Sequence, residues 1–365
     1  MRFIVWFAFA PLVVPSAALG ASLQQAAVDA AVRAARADLN VPGIELAVWR
    51  NGKIEAVSVD GVRAQGSNDK VRPNDPFSIG SITKSLSSAL AARLVEEGKL
   101  RWDSTIGEVL GKSISGLRPE YEDVTLEDLL CHQGGIVPQL ERSALPSIMA
   151  QGSPAGRHLA AASAALSAPP SAQPRTQMIY SNPGYLVAAA MMEQAAGQSW
   201  EDLVRENVIE PLKLNSSGFG PPPSGVRGHM TAPDGSLTPL DPASPQADNP
   251  SFLTPAGRVS MNMADLARFA GDQLDGVSGT GALLKPATYQ RIHTEHLRHA
   301  QLGWGGGPDG GFDNSGSNGR WLAYVRAIPA KHVVISVAIN AVRHPEADED
   351  RLAALAEQLA AQLPQ

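Results

Sequence analysis

Ser81-Ile82-Thr83-Lys84 constrains this chain more than any other four residues. The stretch around them, PFSIGSITKSLSSALAARLVEEG, reads as an extended segment running into a helix. Pro73 and Pro76 keep the chain out of helix beforehand. From Ile82 onward Leu86, Leu90 and Leu94 recur every four residues as an apolar stripe, and Gly98 closes the helix. Ser81 therefore stands at a helix start, with Lys84 one turn on along the same face. A serine hydroxyl is a poor nucleophile until a base takes its proton. A lysine desolvated by burial loses basicity and can take it, and the free N–H groups of the helix start add positive potential. Taken alone, the tetrad also describes a helix cap followed by a solvated lysine.

Two further clusters accompany it. Tyr180-Ser181-Asn182 precedes Pro183-Gly184, which marks a loop turning into the helix LVAAAMMEQAAG. Tyr180 and Asn182 can project from one loop into one cavity. Tyrosine serves as a general base where an ammonium lowers its pKa, and an asparagine amide can hold both a lysine and a substrate carbonyl. The bland reading is a polar helix-entry turn. Asn314-Ser315-Gly316-Ser317 lies in the glycine-rich run GWGGGPDGGFDNSGSNGRW, where a backbone can pass close to a ligand or turn between strands. The strand-like stretches WLAYVRAIP and HVVISVAIN follow it.

In this order and at these separations, the three clusters resemble the motifs of the penicillin-recognising serine hydrolases, specifically the class C β-lactamase-related family. The segments GKLRWDSTIGEVLG, VTLEDLLCHQGGI and TPAGRVSMNMADLARF are similar to that family too, so the likeness spans nearly the whole chain. The resemblance implies that Ser81 attacks a carbonyl and is acylated, with Lys84 and Tyr180 sharing general base and acid duty. It implies that Asn182 binds substrate and positions Lys84, and that Asn314, Ser315, Gly316 and Ser317 line the substrate side. The backbone N–H groups of Ser81 and Ser317 would form the oxyanion hole. One departure stands out: Asn314 occupies the place where the family usually has lysine or histidine. A neutral amide there weakens the hold on a substrate carboxylate, which favours small esters and carboxylate-free amides over penicillins. Arg320, just past Gly319, could return a positive charge.

The organisation follows the same plan. SLQQAAVDAAVRAARADL reads as an amphipathic opening helix, and DEDRLAALAEQLAAQL as a closing one. IELAVWR and KIEAVSVDG meet at Asn51-Gly52, a strong hairpin signal. Strands at both ends around a helical middle suggest one antiparallel sheet built from both termini. The expected fold is α/β (α+β): that sheet flanked by helices, with an all-helical lobe and the site in the cleft between. The α/β lobe is expected at about 21–80 and 255–365 and the helical lobe at about 81–254. Residues 1–20 read as a signal peptide: Met1-Arg2, the apolar stretch FIVWFAFAPLVV, then small residues at Ala18 and Gly20. An exported, periplasmic or secreted protein without a stable membrane span is expected.

Other features narrow the partners. A net charge of -6 over 365 residues argues against nucleic acid and anionic membranes; the resemblance implies a small-molecule or peptide substrate. Cys131 is the one cysteine. Its neighbour His132 invites a Cys–His reading, but adjacent helical residues face apart, so a buried structural thiol is favoured. His293, His296 and His299 recur every three residues without the His-Glu-x-x-His zinc pattern, so a surface helix with ordinary histidines is expected, with no metal and no cofactor. Pro221 to Pro255 reads as a long irregular excursion, either bordering the site or lying on the surface. The expectation is an exported serine hydrolase acting on an ester, amide or β-lactam. Alternatives are a true β-lactamase or D-Ala-D-Ala carboxypeptidase, a non-catalytic sensor of β-lactams or cell-wall fragments on the same fold, and a metal-dependent hydrolase built on the histidines.

Overall fold

The computed structural model describes residues 24–307 and 309–363; the signal peptide expected at 1–20 lies outside them. The principal helices are α1 (Gln25–Leu39), α2 (Thr83–Glu96), α3 (Pro154–Ser167), α4 (Asn182–Ala196), α5 (Met263–Val277) and α6 (Pro345–Ala361). A six-stranded sheet contains β1 (Gly43–Arg50), β2 (Lys53–Gly61), β3 (Gly305–Gly306), β4 (Phe312–Ser317), β5 (Leu322–Ile328) and β6 (Val333–Ile339). Their order is β2-β1-β6-β5-β4-β3, antiparallel throughout. The first two strands thus join the last four through the β1–β6 pair, in which Ile44 faces Ile339 and Arg50 faces Val333. The hairpin at Asn51-Gly52 forms as expected, with φ of 49° and 82°. Both residues are left-handed, as the twist of a tight hairpin demands.

Alternation along the strands sorts the core into two layers. Ile44, Leu46 and Val48 of β1 and Val333, Ile335, Val337 and Ile339 of β6 pack against Val28 and Val32 of α1 and Leu352, Leu355 and Leu359 of α6. Ala47, Trp49, Val334 and Ala338 face the other way, onto Leu266, Phe269 and Ala270 of α5 and the helical middle. With both faces covered, the central strands read as nearly unbroken apolar runs.

Helix α2 is central rather than one-sided. Beyond the expected stripe of Leu86, Leu90 and Leu94, Thr83, Lys84, Ser85, Ser87 and Ser88 are buried as well. Its polar side chains are satisfied by the segments around it. Ser85 donates to the Gly303 carbonyl and Ser87 to the Pro255 carbonyl, each at 2.6 Å, while the Thr83 hydroxyl accepts the Val259 N–H. These bonds fasten the middle of the chain to the segment before β3 and to the end of the proline-rich excursion. That excursion is less irregular than its composition suggests, because it contains a short hairpin, His229–Thr231 with Leu237–Pro239.

Glu45 of β1 is fully buried on the inner face. Burial pushes its carboxyl well above the usual range, reinforced by Asp75 and Asp265 and opposed by the Met263 backbone. A raised folded-state pKa means that the folded protein holds this proton longer than the unfolded chain. The associated stability is present below the ordinary glutamate pKa and is lost as pH rises through the folded value. Glu45→Gln, which stays neutral at every pH, is expected to raise the urea midpoint at pH 7–8 relative to the parent and to leave it little changed at pH 4. Equal midpoint shifts at both pH values would contradict this account.

Candidate active site

Ser81 lies in a 3-10 turn, Gly80–Ile82, that feeds into α2. Strand β4 passes directly against this turn, and only glycine permits the approach. A Cβ on Gly316 would come within 2.1 Å of the Ile79 carbonyl and 2.5 Å of the Ser81 nitrogen. A Cβ on Gly80, itself left-handed at φ 49°, would meet the Ser317 nitrogen at 2.5 Å. The two residues expected to present oxyanion-hole N–H groups, Ser81 and Ser317, are thus neighbours across a side-chain-free seam.

Two side chains converge on the Ser81 hydroxyl. Tyr180 donates to Ser81 Oγ at 2.7 Å and Lys84 Nζ at 3.1 Å. Lys84 is only 2% exposed, and its Nζ also reaches Asn182 Oδ1 at 2.8 Å and the Ala256 carbonyl at 2.6 Å. It lies over the Tyr180 ring, 4.9 Å from the centroid. Burial lowers the Lys84 pKa, and Tyr180 opposes that shift.

This geometry serves both protonation states of the lysine. An ammonium has three N–H donors, and three oxygens stand ready to accept them. A neutral amine keeps two donors, for Asn182 and Ala256, and presents its lone pair to a Ser81 O–H. The proton can therefore move between Oγ and Nζ while every partner stays in place. The Tyr180 hydroxyl then steadies the negative charge that grows on Oγ.

Asn182 opens α4, and its position is set by Ser181, whose hydroxyl caps the helix by accepting the Gly184 N–H at 2.9 Å and donates to the Val137 carbonyl. Asn314 is held differently from the expectation. Its amide donates to Ser85 Oγ at 2.9 Å and to the Gly303 carbonyl at 2.8 Å. Both of its hydrogens are used within the protein, so it can offer a substrate only its carbonyl oxygen, an acceptor. Arg320 does not restore a positive charge to the cleft: it donates to the Gln246 and Asn318 carbonyls instead.

Ser81, Lys84, Tyr180, Asn314, Ser315, Gly316 and Ser317 line one cleft of about 400 Å³. Arg298 to Gln301 and Gly303 to Gly306 line it as well, beside β4, where Gly305 pairs with Asp313 and the Gly303 carbonyl accepts from Asn314. Here the histidine-rich segment departs from the expected surface helix. The helix Pro286–Ile292 stops short of it, and His293 turns inward to stack on Phe312 at 4.1 Å. Arg298 and His299 adopt left-handed φ of 56° and 58°. The three histidines thus share no helix face, and Arg298 has no carboxylate at ion-pair distance among the described residues. Cys131 is buried, and burial pushes its thiol up to about 12, the state of an inert structural cysteine.

Sequence reasoning missed the Ala256 carbonyl, since a main-chain acceptor leaves no mark on residue type. It missed Ser85 as the partner of Asn314, although Ser85 adjoins Lys84 in sequence. It read the histidine-rich segment, in which Arg298 lies, as a surface helix because three-residue spacing mimics a helix face. It also considered His132 only as a partner for Cys131, whereas the imidazole packs 4.5 Å from the Tyr180 ring.

The strut made by Asn314 can be tested directly. Asn314→Asp sets a carboxylate oxygen against the Gly303 carbonyl and removes two donated bonds. A stability loss of about 1–3 kcal/mol in urea unfolding is expected; an unchanged midpoint would show that the strut carries no load.

The chain is similar to several known proteins. The family model described as Beta-lactamase matches residues 28–360. Penicillin-binding protein 4 of Amycolatopsis lactamdurans is 28% identical over 84% of this chain and 83% of its own length. Among solved structures, a class C β-lactamase superposes with a TM-score of 0.73 at 19% identity, covering 93% of this chain and 97% of that one. A D-stereospecific amidohydrolase from Streptomyces sp. superposes with a TM-score of 0.67 at 20% identity, covering 87% and 95%.

Proposed function

The chain belongs to the β-lactamase family, and on that premise we propose that it is a serine hydrolase working through a Ser81 acyl-enzyme on an ester, amide or β-lactam. The observation that carries this reading is the pair of bonds on one oxygen: Tyr180 and Lys84 both reach Ser81 Oγ. Oγ attacks the substrate carbonyl as its proton passes to Lys84. The tetrahedral oxyanion sits between the Ser81 and Ser317 N–H groups, where such donors supply a large share of the rate. As the carbon–heteroatom bond breaks, the proton is delivered through Lys84 and Tyr180 to the leaving group. Water then attacks the ester carbonyl, gives a proton to the same pair, and releases the acid and free Ser81. A non-catalytic sensor needs only the nucleophile and the binding walls, so a complete proton path favours the enzyme.

Loss of Ser81 is expected to abolish a single fluorophosphonate adduct seen by intact-mass analysis; an adduct persisting in Ser81→Ala would sink the assignment. Lys84→Ala and Tyr180→Phe are each expected to lower kcat by about 10²–10⁴-fold with smaller effects on KM. For Lys84 the sign of the pH effect follows from its lowered pKa: the base works when unprotonated, so kcat rises with pH and levels off above that pKa.

The substrate side favours a compound that presents an N–H donor or a neutral group to Asn314, as small esters and amides do. The D-stereospecific amidohydrolase likeness supports amides of D-configured residues among the candidates. Arg298 favours a second reading, in which it meets a β-lactam or D-Ala-D-Ala carboxylate in the cleft. Side-by-side rates on p-nitrophenyl esters, D- and L-amino-acid amides, nitrocefin and D-Ala-D-Ala peptides separate the two. We place the enzyme outside the cytoplasm on the strength of the leader-like residues 1–20, to be checked by N-terminal sequencing of the mature protein.

A further inference from the structure

His132 takes no part in the proton transfers described above, yet it is tied to Tyr180 in three ways. Its carbonyl accepts the Ile179 N–H at 2.9 Å. Its Nδ1 accepts the Ser181 N–H at 3.2 Å. Its imidazole lies 4.5 Å from the phenol ring, centroid to centroid. The backbone on both sides of Tyr180, and the ring itself, bear on this one residue.

Tyr180 needs such support. It is 45% exposed, and residues 171–180 contain no helix or strand. His132, by contrast, is firmly set. Its ring also meets Tyr185 at 5.2 Å, and Tyr185 is fully buried and donates to the Leu130 carbonyl at 2.6 Å. Its own backbone is left-handed, with φ at 60°. A non-glycine residue keeps that conformation only where its surroundings enforce it, and such residues concentrate at functional sites. Accepting a hydrogen bond at Nδ1 puts the ring proton on Nε2 and requires the neutral imidazole. Burial, with the nearby Lys84 charge adding, pushes the His132 pKa down to about 3, so the ring is neutral throughout the working range.

We propose that His132 is the positioning residue for Tyr180, gripping the main chain on either side of it and its ring so that the phenolic oxygen stays at hydrogen-bond distance from Ser81 Oγ. The proposal rests on the catalytic reading of Tyr180 given above. It assigns His132 no proton-transfer step, so its effect must pass through the Tyr180 hydroxyl.

A double-mutant cycle tests it, read on p-nitrophenyl acetate turnover and on the rate of fluorophosphonate labelling of Ser81. His132→Ala is expected to lower kcat about 10–100-fold while KM stays within about threefold. In a Tyr180→Phe background the same substitution is expected to cost less than about threefold, because no hydroxyl remains to be aimed. His132→Asn repeats the cycle with a side chain that tolerates left-handed backbone, which keeps the test available if the alanine variant does not fold. Equal costs in both backgrounds would mean a merely structural role and would overturn the proposal. Near-normal turnover of Tyr180→Phe by itself would instead remove Tyr180 from the mechanism, taking the catalytic reading down together with the proposal.

Discussion

The structure is organised around a lysine taken out of water. A buried amine is costly unless its hydrogens and lone pair are all used, and Lys84 meets that condition only because two distant segments come to it beside its own helix start. Asn182 arrives with the first turn of α4, Ala256 with the turn Thr254–Gly257, and Ser81 with the turn before α2. The neighbours of Lys84 repeat the pattern, since Thr83, Ser85 and Ser87 are each hydrogen-bonded to backbone far away in sequence. Assembling the site and burying α2 are therefore one event. A chain that failed to bring these carbonyls in would leave a row of buried polar groups without partners.

On the proposed reading, burial also adapts the lysine to its chemistry. Desolvation favours the neutral amine, whereas the acceptor oxygens and the adjacent Tyr180 favour the ammonium. With these tendencies opposed, transfer of a proton from Ser81 requires little rearrangement. Preorganisation of this kind is what makes a site efficient. The glycine seam between β4 and the Ser81 turn serves the same end, because a rigid sheet strand fixes one side of the oxyanion site against a rigid helix start.

The substrate-side residues are tied to this proton machinery through α2, where Ser85 adjoins Lys84. Asn314 is committed to Ser85 and Gly303, so its side faces a substrate as a neutral acceptor. Arg298, which lines the cleft together with Lys84, comes from a loop that leads into β3.

Much of this was legible in the amino-acid order. Ser81, Lys84, Tyr180 and Asn182 were singled out by clusters whose order and separations resemble those of a known family, and the Asn51-Gly52 hairpin by its turn chemistry. Strand patterning at the two chain ends was enough to anticipate an antiparallel sheet shared between them. These are local properties, in which residue type and near-neighbour spacing determine conformation. What only the tertiary structure decided is long-range: the Ala256 carbonyl on Lys84, the turning of Asn314 onto Ser85, the histidine segment leaving its helix to form a cleft wall, and the imidazole of His132 against Tyr180. Main-chain acceptors carry no residue signature, and the partner of a buried polar side chain is chosen by which segments pack together. Sequence spacing constrains neighbours along one element, whereas burial compels every polar group to find a partner wherever the fold happens to supply one.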